Sequence, residues 1–313
     1  MPHSAMDRCY QVQFGPQLLH PRNWPAWLAV GALALLALIP TRLRIGLAKA
    51  LVPLARPLCK KPIRIACANL RHCFPDQTDA QRKQLIDELL HTFLMSSISM
   101  GGLAIHSKAS LQAKINLNGI EHLNQARAEG RSIIFLVPHM FALEYAAVAL
   151  TMTGLPMIGM VKHHRNQVFN WFACRQRVRF GGSLFHREAG ISTIVRALKE
   201  GNSLFYLPDQ DHGRDKSVFA PFFGCQKATL PVLSRIARCA NAVVVPLAAG
   251  FCVDSGQVEV SLQAPLALDD LDKEQEARLL NQQMEQLISP YAAQYMWFLK
   301  VLKTRPEGEA KIY

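Results

Sequence analysis

One short stretch of the sequence limits the possible folds more than any other. Residues 133–137 (Ile-Ile-Phe-Leu-Val) form an apolar run with the β-branched and aromatic content of a buried strand. The run ends at Pro138 and His139, and good helix formers continue from Glu144. The pattern predicts a strand, a turn and a helix, with His139 at the carboxyl end of the strand. In an open α/β sheet, ligands bind at that end.

The spacing of His139 and Glu144 indicates a candidate catalytic pair. Four intervening residues let the chain turn into the helix, and we expect this turn to bring Glu144 beside the imidazole. A carboxylate there would fix the tautomer and stabilise the imidazolium, so that His139 could act as a general base towards a hydroxyl group. The alternative is a chance pairing, because a His and a Glu five positions apart are common in proteins.

Strand-like and helix-like segments alternate along most of the chain, and half of all residues are hydrophobic. This alternation predicts an α/β fold with a mixed, mostly parallel sheet flanked by helices. The predicted strands are residues 133–137, 157–161, 184–186, 204–207, 242–247 and 257–262. The predicted helices are residues 78–95 (with a capping box at Thr78 and Gln81), 121–129, 144–150, 167–180, 192–199, 229–238, 273–288 and 291–303.

The N-terminal part of the chain differs from this pattern. Residues 26–39 are uncharged and apolar, lie between Pro25 and Pro40, and follow Trp24. The run is shorter than the roughly 20 residues needed to cross a bilayer. We expect a membrane-embedded or tilted anchor with interfacial tryptophans, and a buried core helix is the alternative.

The basic residues concentrate in the same region. Up to residue 75 the chain has ten Lys and Arg residues and one acidic residue, Asp7. This part therefore carries +9 of the net charge of +12 of the whole protein. Residues 41–64 mix aliphatic and basic side chains, which is typical of a helix on anionic lipid. A nucleic-acid partner is disfavoured, because no binding signature accompanies the charge. We therefore predict a membrane-associated segment over residues 1–72 and an α/β domain over residues 73–313.

The eight cysteines show neither C-x-x-C pairs nor regular spacing, so we expect reduced thiols in a cytosolic compartment. Polar groups lie at the ends of three other predicted strands or helices. Arg177, Arg179 and Arg187 suggest an anionic substrate, although a solvated basic helix face is the alternative. Asp209 and Asp211 lie in a dense polar loop without a second set of ligands, so no metal is assigned. His163 and His164 are expected to lack partners.

Longer strings of residues resemble a known family over nearly the whole chain. The series resembles the four motif blocks of the glycerolipid acyltransferase superfamily and, more narrowly, the lipid A late acyltransferases. Among the lipid A late acyltransferases, the series most resembles the myristoyl-transferring branch. The strings are His139-x4-Glu144, Gly182-Ser-Leu-Phe-His-Arg187, Leu207-Pro-Asp-Gln-Asp-His-Gly213, Val243-Val-Val-Pro246, Leu19-His-Pro-Arg-Asn-Trp24, Asn69-Leu-Arg-His-Cys-Phe-Pro75, Lys227-Ala-Thr-Leu-Pro231 and Gln294-Tyr-Met-Trp297.

The resemblance implies transfer of an acyl chain from acyl carrier protein to a hydroxyl on a lipid A precursor, without a cofactor, at the cytoplasmic face of the bacterial inner membrane. His139 would then be the base and Glu144 would orient it. The resemblance also implies a substrate-binding set, in which the arginines contact phosphate or the oxyanion and the role of the acidic loop is binding or organisation. That set is Arg177, Arg179, Arg187, Asp209 and Asp211.

Two other functions remain open. The same dyad could acylate a lysophospholipid or an ornithine lipid, and a protein without catalytic activity could bind acidic lipid through its basic segment. A soluble α/β hydrolase is disfavoured, because the sequence has no Gly-x-Ser-x-Gly elbow.

Overall fold

The computed structural model describes residues 4–11 and 13–313, apart from the side chain of Arg8. Residues 1–3 and 12 of the predicted N-terminal segment lie outside the described residues. The helices are α1 (Trp24–Leu38), α2 (Thr41–Leu58), α3 (Lys60–Cys73), α4 (Asp79–Ile105), α5 (Lys108–Gln112), α6 (Ile120–Ala128), α7 (Leu143–Met152), α8 (Gln167–Val178), α9 (Gly190–Lys199), α10 (Leu233–Ala240) and α11 (Lys273–Ile288). The strands are β1 (Ile115–Asn118), β2 (Ser132–Leu136), β3 (Met157–Val161), β4 (Ser183–His186), β5 (Ser203–Tyr206), β6 (Val218–Phe222), β7 (Cys225–Thr229), β8 (Ala242–Phe251) and β9 (Val258–Leu262).

A seven-stranded sheet forms the centre of the protein, in the order β1-β9-β8-β2-β5-β3-β4. Every neighbouring pair is parallel except β8 with β9. All residues of β2 except the first are buried, as expected for a central strand between β8 and β5. The predicted α/β class with a mixed, mostly parallel sheet is therefore confirmed.

Strand β8 changes its partner half-way along its length. Residues 242–246 pair in parallel with β2, and residues 247–251 pair antiparallel with β9. The change occurs at Pro246, which has no N–H group to donate to a neighbouring strand. One long strand thus joins the parallel centre of the sheet to its antiparallel edge.

The N-terminal helices pack on α4. A Cβ atom added at Gly101 of α4 would lie 2.2 Å from the carbonyl oxygen of Leu33 in α1, so the absence of a side chain at Gly101 permits this close approach. An ion pair between Arg56 and Asp87 joins α2 to α4. The outer face of α1 remains apolar and exposed, with Leu28 exposed by 74%, Leu35 by 69% and Leu38 by 68%. The domain boundary at residue 72 stays a prediction.

Within the described residues, α4 alone is long and apolar enough to cross a membrane by length and composition. Of its most apolar stretch, 56% is buried inside the protein. A core helix gives the same pattern, so α4 by itself is weak evidence for a membrane span. The capping box that the sequence predicted at Thr78 and Gln81 begins this helix.

The predicted helix 229–238 begins too early, and the predicted helix 291–303 is wrong. Residues 225–229 form β7, which pairs with β6 around a turn in which Phe223 has a φ of 49°, and α10 begins only at Leu233. Beyond a 3-10 helix (Ser289–Gln294), the chain runs through turns instead of the predicted helix 291–303. There Tyr295 and Trp297 are fully buried, and Tyr295 bridges to Met140. Long-range packing overrides helix propensity in this segment.

Candidate active site

Two neighbouring strands deliver the centre of the site. β2 is followed by Val137, Pro138 and His139, and β5 is followed by Leu207, Pro208 and Asp209. Because Leu136 and Tyr206 are partners across the two strands, His139 and Asp209 stand at the same distance beyond the paired ends. The carboxyl ends of two parallel strands therefore meet with an imidazole and a carboxylate side by side.

The His139–Asp209 pair is held by two hydrogen bonds. Nδ1 of His139 lies 2.5 Å from Oδ1 of Asp209, and the backbone N–H of His139 donates to Oδ2 at 2.8 Å. An ionised carboxylate accepts only, so we assign the proton to Nδ1 and leave Nε2 as an acceptor. The side chain of Asp209 has no exposed surface, whereas that of His139 is 16% exposed. The Asp209 side of the pair is thus closed to solvent, and the His139 side is open to it.

The surroundings of Asp209 keep its carboxylate charged. Burial raises the pKa of Asp209, but the electrostatic attraction and the hydrogen bonds of His139, together with the charge of Lys227, outweigh it and hold that pKa below its usual value. Burial, and then the negative charge of Asp209, raises the pKa of Tyr295 well above its ordinary range. Asp209 is therefore a buried acceptor for the imidazole.

Glu144 does not form the predicted hydrogen bond to His139, although both residues line one cavity. Its carboxylate accepts from Nε of Arg177 at 2.9 Å and 3.0 Å, and the Nη2 group of Arg177 forms a further short contact. The attraction to Glu144 raises the pKa of Arg177 despite its burial. Glu144 lies in the first turn of α7, where its side chain reaches α8, and Asp209 takes the place beside the imidazole. The expected His139–Glu144 contact is corrected to a His139–Asp209 contact.

A glutamine links the imidazole to the rim of the site. The amide nitrogen of Gln210 lies 3.2 Å from Nε2 of His139, consistent with an unprotonated Nε2. The amide oxygen of Gln210 accepts from Nη2 of Arg187 at 3.2 Å. Arg187 is exposed just beyond β4 at the edge of the sheet. The Gln210 side chain therefore stands where a substrate hydroxyl would approach His139.

Two neighbouring cavities share part of their walls, and His139 lines the first of them. The first has a volume of about 300 Å³ and includes His139 and Arg177 in its lining. Its remaining walls are mostly apolar and come from α7, β3, β4 and β5, including Gly159, Leu184 and Phe205. The second, of about 220 Å³, is lined by side chains of α4 such as Phe93, by Phe141 between β2 and α7, and by residues within 296–299, including Phe298. Leu143, Glu144 and Met296 line both cavities, so this wall separates two apolar spaces.

Comparisons with known proteins agree with this geometry. The bacterial lipid A biosynthesis acyltransferase family matches residues 11–304. A lipid A biosynthesis acyltransferase of Haemophilus influenzae is 38% identical over 300 residues, which cover 96% of this chain and 94% of that protein. The lipid A biosynthesis myristoyltransferase of Escherichia coli is 36% identical over 97% of this chain and 94% of its own, and the lauroyltransferase of that bacterium is 29% identical over 96% and 98%.

This chain belongs to the bacterial lipid A biosynthesis acyltransferase family. It is accordingly an acyltransferase of lipid A biosynthesis, and the family that the sequence motifs resembled is confirmed.

The remaining predicted site residues of this lipid A acyltransferase take different positions. Both oxygens of Asp211 are engaged, by the N–H and hydroxyl of Thr304 at 2.6 Å and 2.7 Å and by the N–H of Gly213 at 2.9 Å. These contacts favour organisation of the loop, one of the two roles that the sequence left open. Arg179 donates to the carbonyl oxygen of Leu103 at 2.8 Å and lines neither cavity.

Sequence reasoning also missed contacts in this acyltransferase. It named no role for Gln210, and it expected no partner for His163, whose Nδ1 lies 2.6 Å from the hydroxyl of Tyr10.

All eight cysteines are free thiols. Within residues 4–11 and 13–313, no group of three His, Cys, Asp or Glu side chains is arranged to hold a metal ion.

A sequence signal for the His139–Asp209 pair does exist. Residues 135–139 read Phe-Leu-Val-Pro-His, and residues 205–209 read Phe-Tyr-Leu-Pro-Asp. The two phenylalanines are partners across β2 and β5. The repeated pattern of an apolar strand, a proline and a polar group marks two strand ends that could face one cavity.

Proposed function

We propose that this lipid A acyltransferase moves a fatty acyl chain, myristoyl or lauroyl, from acyl carrier protein to a hydroxyl of an acyl chain on a Kdo-lipid A precursor. The observation that carries the proposal is the imidazole of His139, which Asp209 holds at Nδ1 while Nε2 is left as an acceptor beside an apolar cavity. The higher identity to the myristoyltransferase than to the lauroyltransferase, 36% against 29%, favours myristoyl.

These positions support the following reaction. Nε2 of His139 takes the proton of the acceptor hydroxyl while the hydroxyl oxygen attacks the thioester carbonyl. The tetrahedral intermediate then breaks its carbon–sulfur bond, and the imidazolium returns the proton to the sulfur, leaving an ester and a free thiol. Such acid–base assistance contributes about 10² to 10⁴ in rate. Arg177 lines the same cavity, and its guanidinium would stabilise the oxyanion.

The two cavities suit the two fatty chains of this reaction. We assign the donor chain to the larger cavity, because it contains His139 and is otherwise mostly apolar. The acceptor chain would enter the second cavity, which shares the wall of Leu143, Glu144 and Met296. Each buried methylene contributes about 0.8 kcal/mol, so the depth of a cavity would select chain length. Arg187, exposed at the rim, would bind a phosphate of the acceptor.

The protein would work at the cytoplasmic face of the inner membrane. Support comes from the exposed leucines of α1 and from the names of the relatives, which place them in lipid A biosynthesis. The exposed basic residues of α2 and α3, such as Arg42, Lys49 and Lys60, would contact anionic lipid, each Lys or Arg contributing about 1 kcal/mol.

Mass spectrometry of lipid A tests the proposal. Cells that lack their own late acyltransferase would receive this protein or its His139→Ala variant, with both proteins confirmed in the membrane fraction. We expect one added acyl chain with the unaltered protein and none with the variant, and the added mass gives the chain length. Folded protein that leaves lipid A unchanged would argue for another acceptor, such as a lysophospholipid or an ornithine lipid.

A further inference from the structure

A group of basic side chains lies outside the two cavities, where the end of α4 meets the start of α2. We call Arg44, His106, Lys114 and Arg179 the basic cluster. Nζ of Lys114 lies 3.0 Å from Nδ1 of His106, and Nε2 of His106 lies 3.2 Å from the carbonyl oxygen of Ala37. Because an ammonium group can only donate, His106 accepts at Nδ1 and carries its proton on Nε2.

Arg44 is the most deeply buried member of the basic cluster, with 5% of its surface exposed. Its guanidinium donates to the hydroxyls of Ser99 at 3.2 Å and Thr41 at 2.9 Å, and its buried Nε has no partner. A buried arginine is ordinarily paired with an opposite charge, because an unpaired one loses hydration without compensation. Here two neutral hydroxyls are its side-chain partners.

The charge of the basic cluster is not balanced. In the part of the chain that the structure describes, no carboxylate pairs with any of its four members. Burial, and then the charge of Arg44, lowers the pKa of Lys114. Burial, then Lys114 and more weakly Arg44 and Arg179, lowers the pKa of His106. The positive groups therefore destabilise one another, and a bound anion would reverse this effect.

The start of α2 adds to the positive potential. This helix has 18 residues, and no side chain caps its N-terminus at Pro40. Free N–H groups and the helix dipole make such an end favourable for an anion. Thr41, in the first turn, already contacts the guanidinium of Arg44, so the helix end and the basic cluster form one positive region.

The position of the basic cluster indicates what carries the anion. His106 touches the carbonyl oxygen of Ala37, and the next residue of α1 is Leu38, which is 68% exposed. Leu35, one turn earlier, is 69% exposed. The positive region therefore borders an exposed apolar helix face, as the head group of a lipid borders its fatty chains.

We propose that the basic cluster binds the phosphate group of a lipid at a site separate from the catalytic cavity. Arg44 and Lys114 supply the charge, and the exposed face of α1 lies against the fatty chains. The phosphate belongs to a lipid rather than to a free phosphate ion. The proposal does not depend on the acyl-transfer reaction, and it is distinct from the phosphate contact assigned to Arg187.

Binding of phosphatidic acid by the full-length protein in neutral detergent micelles tests this site. The Arg187→Ala variant serves as the starting protein, so that the rim of the catalytic cavity does not contribute. Lys114→Gln removes one charge but keeps a donor for His106, and Lys108→Gln removes an exposed charge of the adjacent helix α5 as the matched control. Diacylglycerol with the same chains and inorganic phosphate are the comparison ligands, and acyl transfer is assayed separately.

We expect phosphatidic acid to bind the starting protein and Lys108→Gln equally and to bind Lys114→Gln about tenfold more weakly, the effect of losing one charged hydrogen bond. Diacylglycerol should not bind measurably, and inorganic phosphate should bind more weakly than the lipid. A second variant, Lys114→Arg, should restore the affinity, and thermal unfolding checks that each protein is folded. Equal affinities of Lys114→Gln and Lys108→Gln would overturn the site. Equal affinities for inorganic phosphate and phosphatidic acid would overturn its assignment to a lipid.

Discussion

Two acid–base pairs stand at the same cavity, and they differ in what each leaves free. Asp209 accepts a hydrogen bond from Nδ1 of the His139 imidazole and leaves Nε2 as an acceptor. Glu144 instead holds Arg177 through Nε and Nη2 of its guanidinium, so the position and the charge of Arg177 are fixed. The first pair keeps a group that can accept a proton, and the second fixes a positive charge. The comparison separates a pair suited to proton transfer from a pair suited to electrostatic stabilisation.

The sharpest way to break this comparison is to replace Asp209. We expect Asp209→Asn to reduce kcat by about 10⁴, because an amide N–H would donate to Nδ1 and shift the imidazole proton to Nε2. A protonated Nε2 cannot accept the proton of the substrate hydroxyl. Combining Asp209→Asn with His139→Ala should lower kcat little further than His139→Ala alone, since the effects of residues that act as a unit are not additive. Steady-state kinetics of the single and double variants measure this, and a loss below tenfold in Asp209→Asn would contradict the pair.

The pH dependence of stability provides the folding control. The pKa of Asp209 in the folded protein lies below its usual value, so its charged form stabilises the fold above the unfolded-state pKa of about 3.9. This contribution is lost as the pH falls through the folded-state pKa. The difference in unfolding free energy between the unaltered protein and Asp209→Asn should therefore shrink on acidification. A constant difference would show that Asp209 is not held in its charged form.

A second way to test the comparison is to replace members of the other pair. We expect Arg177→Met to lower kcat by about 10² to 10³, the usual cost of removing one group that stabilises an oxyanion. Glu144→Gln should lower kcat through misplacement of Arg177, and the double variant should resemble Arg177→Met. A double-mutant cycle measures this coupling. Coupling of Glu144 to His139 instead of Arg177 would restore the original dyad.

The rim arginine sharpens the comparison, because it should affect binding rather than chemistry. Arg187→Ala removes a charged hydrogen-bond donor, so the KM for a phosphorylated acceptor should rise by about 10-fold to 150-fold with a small change in kcat. An acceptor without the phosphate provides the control and should show no such rise. An unaltered KM for both acceptors would remove Arg187 from the binding site.

The smallest expected effect concerns the depth of the larger cavity. Gly159 lines it, and the nearest atom to an added Cβ is Cδ2 of Leu184 at 3.7 Å, so a side chain can be placed there without a clash. We expect Gly159→Leu to shift the donor preference to shorter chains, with about fourfold weaker binding for each methylene excluded. Competition between acyl donors of different length measures the preference. Gly154→Leu is unsuitable as a control, because its φ of 85° disfavours a side chain.

The match between sequence and structure depended on how local each feature is. The strand before His139, the capping box of α4 and the amphipathic helices were predictable, because periodicity and propensity act over a few residues. Residues 291–303 were not, because the burial of two aromatic residues there depends on distant parts of the chain. Tyr295 bridges to Met140, and Trp297 packs against Phe74 and Phe223. The β6–β7 hairpin is local but was missed for another reason, since its turn holds Phe223 at a φ of 49°, a conformation that a phenylalanine rarely adopts.

The sequence by itself determined that this protein has an α/β fold, that His139 stands at a strand end, and that its motifs are those of a lipid A acyltransferase. The tertiary structure decided which carboxylate meets the imidazole. Glu144 is five residues away in sequence, and Asp209 is 70 residues away but lies at the end of the adjacent strand. Strand order is set by how the connecting helices pack on the sheet. That information is spread over the whole chain, and no single motif contains it.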